Sequence, residues 1–455
     1  MKRLMIALTA LIAAVAAEAK TVWTYSVEGR QAYIADESGW KFKVQNVTVG
    51  DVSGIGTVFN GRVSVGTDGE LDFTSITDEE GNSYTFIQFG GYEYQSGPDT
   101  SLITSINAPD CISVAGTYNF GYSCYALTSV TLNENVVEIG ERAFMDCKAL
   151  VNFYPTTCPK LKTVGSYAFG GSRVAYVIQM PDVDFNFPAL ESVGSQAFYR
   201  IKCRSITAPK LQSVGKQAFA ETTFGGHWDL PDLLTVGDFA WQSSGIQGIS
   251  MPKVQSIGAS AFNGCASLTN VVVGEDLKTL GQQAFYNCTA LTSFSPLLPA
   301  NMTSIGDMVF DSCQALSGEL VYDCPDLLTV PPQLVRNCYG LTNLIVKTPV
   351  SALGAGCFAN IKNSPSIYFY GPCPAARDIT SLSCAFSARY RIYCKEGTED
   401  SWKADVGFSS LDSGDSGYPK KTFGKLTSYV KADGAASIAW LASWREKQGL
   451  VIILK

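Results

Sequence analysis

Between Ile106 and Pro372 the apolar positions of the chain return again and again in one order. The cleanest copy runs from Val254 to Val273, VQSIGASAFNGCASLTNVVV, and it recurs as LKTLGQQAFYNCTALTSF over Leu277–Phe294 and as VEIGERAFMDCKALVNF over Val137–Phe153. Each copy has an apolar residue followed by glycine, then Ala-Phe, then Cys or another small residue, then Leu, then an alternating apolar stretch. The glycine falls at Gly116, Gly140, Gly165, Gly194, Gly215, Gly237, Gly258, Gly281, Gly306 and Gly354, with Pro331 in the one remaining place, at spacings of 21 to 29 residues. Four residues after each comes a large apolar side chain, from Phe120 through Trp241 to Phe358. Eleven units in register define a repeat architecture.

The alternation Leu127, Val130, Leu132 predicts a short strand with one buried face. Prolines at Pro155, Pro181, Pro209, Pro231, Pro252 and Pro296 close such strands, where no ladder donor is needed. The Ile-Gly step turns the chain, and Ala-Phe returns a ring to the interior. A single unit buries too few apolar groups to offset the entropy of ordering its backbone, so the units must stack. These features predict a right-handed α/β repeat solenoid of about eleven units. One parallel strand per turn makes it about 50 Å long at a strand spacing of about 4.8 Å.

Residues 20–105 lack the repeat. Segments such as VWTYSV, QAYIA and ELDFTSI alternate β-branched or aromatic with polar residues, and Gly29, Gly69 and Gly81 mark reversals. They predict a small β-rich N-terminal domain or cap, as the exposed first turn of an array requires. Residues 1–19, with Lys2 and Arg3, an apolar run from Leu4 to Ala17 and the Ala17-x-Ala19 pair, read as a secretory signal peptide cleaved before Lys20. The apolar run falls short of a membrane span, and no cysteine follows it to take a lipid anchor.

The frame IGxxAFxxCxxLxxVxL, carried at Ile257–Val273, Leu280–Phe294 and Ile139–Phe153, resembles the BspA-like leucine-rich repeat family, over roughly residues 106–394. The resemblance implies a curved or superhelical repeat fold, export to a bacterial surface, and roles in adhesion to host or matrix proteins and to other cells. It also implies a closing strand at Tyr390–Cys394 and a cap over residues 395–408 marked by Gly397 and Trp402. Residues 409–424 are Ser/Gly/Asp-rich and read as a linker. Residues 425–455, with the apolar run Ala435–Trp444, remain unassigned.

A net charge of −7 offers no basic surplus for nucleic acid. One histidine, His227, serves the whole chain. Serine–histidine and cysteine–histidine nucleophile systems could be built only there. There is no GxSxG, HExxH or GxxxxGK[ST], no CxxC, and hence no expected cofactor or metal. Of 14 cysteines, five recur at one repeat position: Cys147, Cys265, Cys288, Cys313 and Cys338. Stacked with parallel Cβ vectors, they are expected to form an internal ladder of free thiols. Cys384 and Cys394 are the candidate disulfide pair.

Function must therefore lie in what varies between units. The outward strand positions are mostly small and polar; the local enrichment is Tyr154, Tyr176, Gln179, His227 and Asp229. Aromatic and hydrogen-bonding groups together suit an extracellular protein or glycan partner. The reading is a monomeric, non-enzymatic surface-binding protein. The alternatives are a spacer displaying its N-terminal domain and, more remotely, a carboxylate-based hydrolase.

Overall fold

The computed structural model describes residues 22–28, 30–64, 69–90, 102–115, 124–171, 177–295, 298–361, 366–371, 376–377 and 391–394. The expected signal peptide, Gly116, Phe120, Tyr176, Cys384 and everything after Cys394 lie outside these residues.

The repeats form a β-solenoid, and each turn contributes two parallel strands, not the one expected. The first row holds strands such as Ser129–Thr131, Asn152–Tyr154, His227–Asp229, Gly248–Met251 and Asn270–Val273. Their central residues, among them Val130, Phe153, Trp228 and Ile249, point into the core. The second row consists of two-residue strands just before the glycine step, from Ser113–Val114 to Ser304–Ile305, and belongs to a single 15-stranded sheet. It begins again at Thr329–Val330, paired with Ala352–Leu353. Among the described residues there is no α-helix. The helical part of the expected α/β unit is replaced by a chain of turns.

Those turns make the third side. After the glycine, alternate N–H groups point forward to carbonyls of the next turn: Gln217 to Asp238, Phe219 to Ala240 and Glu221 to Gln242, at 2.7–2.9 Å. The path requires left-handed backbone at two positions per turn, as at Gln217, Glu221, Phe239 and Ser243, with φ of 53–58°. Non-glycine residues tolerate it where surrounding hydrogen bonds fix the conformation.

Within this triangle the rings of Phe144, Phe169, Phe198, Phe219, Trp241, Phe262, Phe285 and Phe310 form one column, with centroids 5.0–5.7 Å apart and planes 3–23° from parallel. Offset stacking of this kind adds to the burial of each ring. The glycine step exists because the turns approach too closely there for a side chain. A Cβ on Gly281 would lie 2.3 Å from the amide nitrogen of Ala259.

Both rows run on before residue 105. Phe86–Phe89 pairs in parallel with Ser113–Val114, and Glu70–Asp72 with Ser105–Asn107. Antiparallel strands at Val52–Ser64, Lys41–Val49, Gln31–Ala35 and Trp23–Glu28 continue the long sheet, and Ile76–Thr77, parallel to Trp23–Glu28, forms its edge. Their core is aromatic: the Trp23 ring stacks on Phe73 at 5.0 Å, and its indole N–H donates to the Asp72 carbonyl at 2.7 Å.

One register differs from the sequence reading. Pro181 does not close its strand but lies inside Gln179–Asn186. Phe185 sits beside Ile206, and Asp184 and Asn186 beside Ser205 and Thr207. The closing proline is Pro188, in the tetrad Phe187-Pro188-Ala189-Leu190, which matches Ala208-Pro209-Lys210-Leu211 and Leu230-Pro231-Asp232-Leu233. That tetrad was the sequence signal for the correct register.

Candidate functional site

The outer surface of the first row is built by strand alternation: with the central residue buried, both flanking side chains face out. Tyr154 is 55% exposed at the edge of the sheet that ends with its strand. His227 and Asp229 are exposed on either side of buried Trp228. Gln179 is exposed but sits five residues before the outward Asp184 of its own strand. The row is not one continuous sheet. Its ladder lapses between Asn152–Tyr154 and Gln179–Asn186, and again between Lys202–Thr207 and His227–Asp229. Tyr154, Gln179 and the His227/Asp229 pair therefore belong to three sheets. Of the four expected residues that are described, the structure brings His227 and Asp229 together; Tyr176 lies outside the described residues.

What surrounds that pair is more specific. His227 pairs with Gly248, which pairs with Asn270. A Cβ on Gly248 would lie 2.1 Å from Nδ1 of His227 and 2.4 Å from Oδ1 of Asn270. The imidazole and the amide thus lean from both sides over a strand position with no side chain. The result is a shallow polar saddle with donors and acceptors of both kinds.

One strand pair upstream lies a charged network that the sequence reading missed. Arg204 donates to Asp184 at 2.8 Å and to Asp182 at 3.0 Å, and the Ser205 hydroxyl donates to Asp184 at 2.6 Å. The Ser205 hydroxyl, and then Arg204, hold the Asp184 carboxyl below its ordinary range. The misplaced register concealed this network, because Asp184 was not assigned to an outward position.

The five repeat cysteines are buried thiols that belong to no disulfide. Among the described residues four share one bond. Cys265, Cys288, Cys313 and Cys338 donate to the carbonyls of Trp241, Phe262, Phe285 and Phe310 in the preceding turns, at 2.9–3.0 Å. Burial raises all four thiols, and Cys147, above the ordinary thiol range. Where the cysteine is missing among the described residues, the position holds Ile201, Thr222, Ser244 or Ile361, each buried. The Thr222 hydroxyl donates to the Phe219 carbonyl at 2.8 Å. Of Cys394 only the backbone is described. Among the described residues no cluster of three or more His, Cys, Asp or Glu side chains is placed to hold a metal ion, and no helix is long and apolar enough to cross a membrane.

The family model described as BspA type leucine rich repeat region matches six copies, over residues 98–185, 178–292 and 234–364. More than half the chain is covered, and the chain belongs to this family. No curated protein matches it. Among solved structures, a leucine-rich repeat protein from Bacteroides ovatus is 17% identical, with 72% of this chain and 93% of that one covered and a TM-score of 0.35. The pneumococcal vaccine antigen PcpA is 12% identical, with 85% and 97% covered and a TM-score of 0.36. A leucine rich cell surface protein from Faecalibacterium prausnitzii is 15% identical, with 84% and 97% covered and a TM-score of 0.31.

Proposed function

We propose that this chain is a non-enzymatic interaction protein of the bacterial surface, which binds an extracellular protein or glycan on the outer face of its first strand row. Membership of a repeat family fits a surface interaction role. The observation that carries the reading is the contrast between the two sides of each strand. Inward positions repeat apolar residues, whereas outward ones vary from turn to turn and include His227, Asn270 and Asp229 on one sheet and the Asp182–Arg204–Asp184 network on the sheet before it. Repeat solenoids bind through such extended surfaces, and Tyr154 adds an exposed aromatic group on a separate sheet of the same row, of a kind that suits a peptide or sugar.

Residues 1–19 would export the chain, the antiparallel strands after Trp23 would cap a right-handed coil, and the protein would act as a monomer. The test is binding of the full chain to a panel of extracellular-matrix proteins and a glycan array, beside a variant carrying Tyr154→Ala, His227→Ala and Asp229→Ala. Loss of a signal in the variant supports the reading; full retention of every signal rejects these residues.

The spacer reading has one observation in its favour. Val22, Val27 and Val52 are exposed apolar residues at the N-terminal end. A variant with Val27→Ser and Val52→Ser that alone abolished binding would favour it.

A further inference from the structure

Along the second row two columns of amides tie each turn to the one before it, and one turn takes part in neither. The amide of the glycine step donates to the end of the preceding strand: Gly237 to Val214, Gly258 to Val236, Gly281 to Ile257, Gly306 to Leu280 and, one turn further on, Gly354 to Val330, all at 2.8 Å. Between the last two the step is Pro331, which has no N–H to give. Three residues earlier in each turn runs the second column. Leu234 donates to Gln212, Gln255 to Leu234, Lys278 to Gln255 and Thr303 to Lys278, at 2.8–2.9 Å, and the column resumes with Ser351 to Leu328 at 2.7 Å. Among the described residues no such bond joins Leu328 to Thr303, and Ser304–Ile305 and Thr329–Val330 belong to different sheets. Ile305 is left half-buried where Val236, Ile257, Leu280 and Val330 are buried.

The first row lapses at the same turn, between Ser293–Ser295 and Ser317–Tyr322. It lapses at two earlier turns as well, but there the second row runs through unbroken. The column of rings also stops here, because the position that follows Phe310 is Val335. What still crosses is a line of bonds on the third side, Met308 to Pro332, Phe310 to Leu334 and Ser312 to Arg336, at 2.8–3.0 Å. Arg336 and Asn337 clamp that line by donating to Asp311. Elsewhere the links are longer: the N–H and hydroxyl of Ser317 reach the Thr292 carbonyl at 3.4 and 3.3 Å, and the Cys324 thiol reaches the Pro299 carbonyl at 3.7 Å. A joint held firmly on one side of three is free to bend about that side. We propose that the solenoid is hinged here: the turns before Ile305 and those after Ser317 are two blocks that rotate about the third side, and Pro331 is the residue that releases the second row. The outer face of the first row is then two plates, one ending at Ser295 and one beginning at Ser317, whose mutual angle adjusts. A partner touching both plates selects one angle from those the free chain already visits.

The test is pulsed electron–electron distance measurement between two nitroxides on the full chain. The labels are carried on p-acetylphenylalanine, because the chain has 14 cysteines of its own. One pair, at Leu234 and Ser351, spans the junction; the control pair, at Lys162 and Lys278, lies before it. All four are exposed positions of the same amide column, and each pair is five turns apart, about 24 Å at about 4.8 Å per turn. The expected result is a distance distribution about twice as wide or more for the spanning pair. Pro331→Gly gives back the missing N–H and should narrow it toward the control while leaving the control unchanged. A spanning distribution as narrow as the control overturns the hinge, and that comparison needs no variant at the junction. A wide distribution that Pro331→Gly leaves as it was overturns the role given to Pro331.

Discussion

The thiol of Cys288 donates to the backbone carbonyl of Phe262, one turn earlier, at 3.0 Å. The same bond joins Cys313 to Phe285 and Cys338 to Phe310. It links the cysteine column to the ring column and gives each buried thiol a partner, as a buried polar group requires. Cys288→Ala removes the bond and leaves a small cavity. A loss of about 1–3 kcal/mol follows. Cys288→Ser keeps a donor at the repeat position where Thr222 carries a buried hydroxyl, bonded there within its own turn to the Phe219 carbonyl, and should lose less. Urea unfolding midpoints of the two variants give the order directly.

Alkaline pH should weaken the fold. Burial raises the thiols of Cys111, Cys158 and Cys203 to about 12, from 9.0 when unfolded. Above pH 9 the unfolded chain loses thiol protons that the folded chain keeps, so it binds fewer protons and stability falls with rising pH. The stabilising contribution is complete below pH 9 and lost progressively toward pH 12. Each fully buried thiol adds a slope of up to about 1.4 kcal/mol per pH unit. Unfolding midpoints flat from pH 7 to 8.5 and declining from pH 9 to 10.5 are expected; a flat profile throughout would contradict it.

Two glycines should respond in opposite ways to alanine. At Gly281 the new Cβ meets backbone of the preceding turn, at 2.3 Å from Ala259 N and 2.5 Å from Gly258 C. Neither atom can move without parting the turns, and a loss of about 3 kcal/mol or more is expected. At Gly248 the obstacles are the ends of two side chains, His227 and Asn270. Those can swing away, and stability should change by less than about 1 kcal/mol. Because His227 is the sole histidine, one imidazole resonance in the NMR spectrum reports whether it has moved.

Asp311 is fully buried and accepts from Nε and Nη2 of Arg336, from Nδ2 of Asn337 and from the Ser312 hydroxyl, at 2.5–3.1 Å. It lies where both strand rows are interrupted, after Ser293–Ser295 and after Ser304–Ile305. There the backbone bonds of the third side carry the junction: Met308 to Pro332, Phe310 to Leu334 and Ser312 to Arg336. Asp311→Ala strips a buried network of its acceptor, at an expected loss of about 2–4 kcal/mol. Hydrogen exchange should accelerate first at the amides of Met308, Phe310 and Ser312.

What the sequence made legible was what every turn must repeat. The glycine step and the ring four residues later, as in Gly258 and Phe262, are imposed by contact between turns and cannot drift. The second row was not legible, because strands as short as Ser256–Ile257 are too brief for alternation to show. The register at Phe185 was missed because the turn before it carries extra residues, and Gln179 and Pro181 imitate the pattern. The saddle over Gly248 depends on a residue with no side chain, which no search for chemical groups would select.

The central claim is that binding belongs to the outer face of the first row. Hydrogen exchange of the full chain, with and without the strongest binder from the protein and glycan panel, tests it most directly. Protection is predicted in Lys202–Thr207, His227–Asp229, Gly248–Met251 and Asn270–Val273. Protection confined to the strands between Trp23 and Ser64 would contradict the account and assign recognition to the N-terminal end.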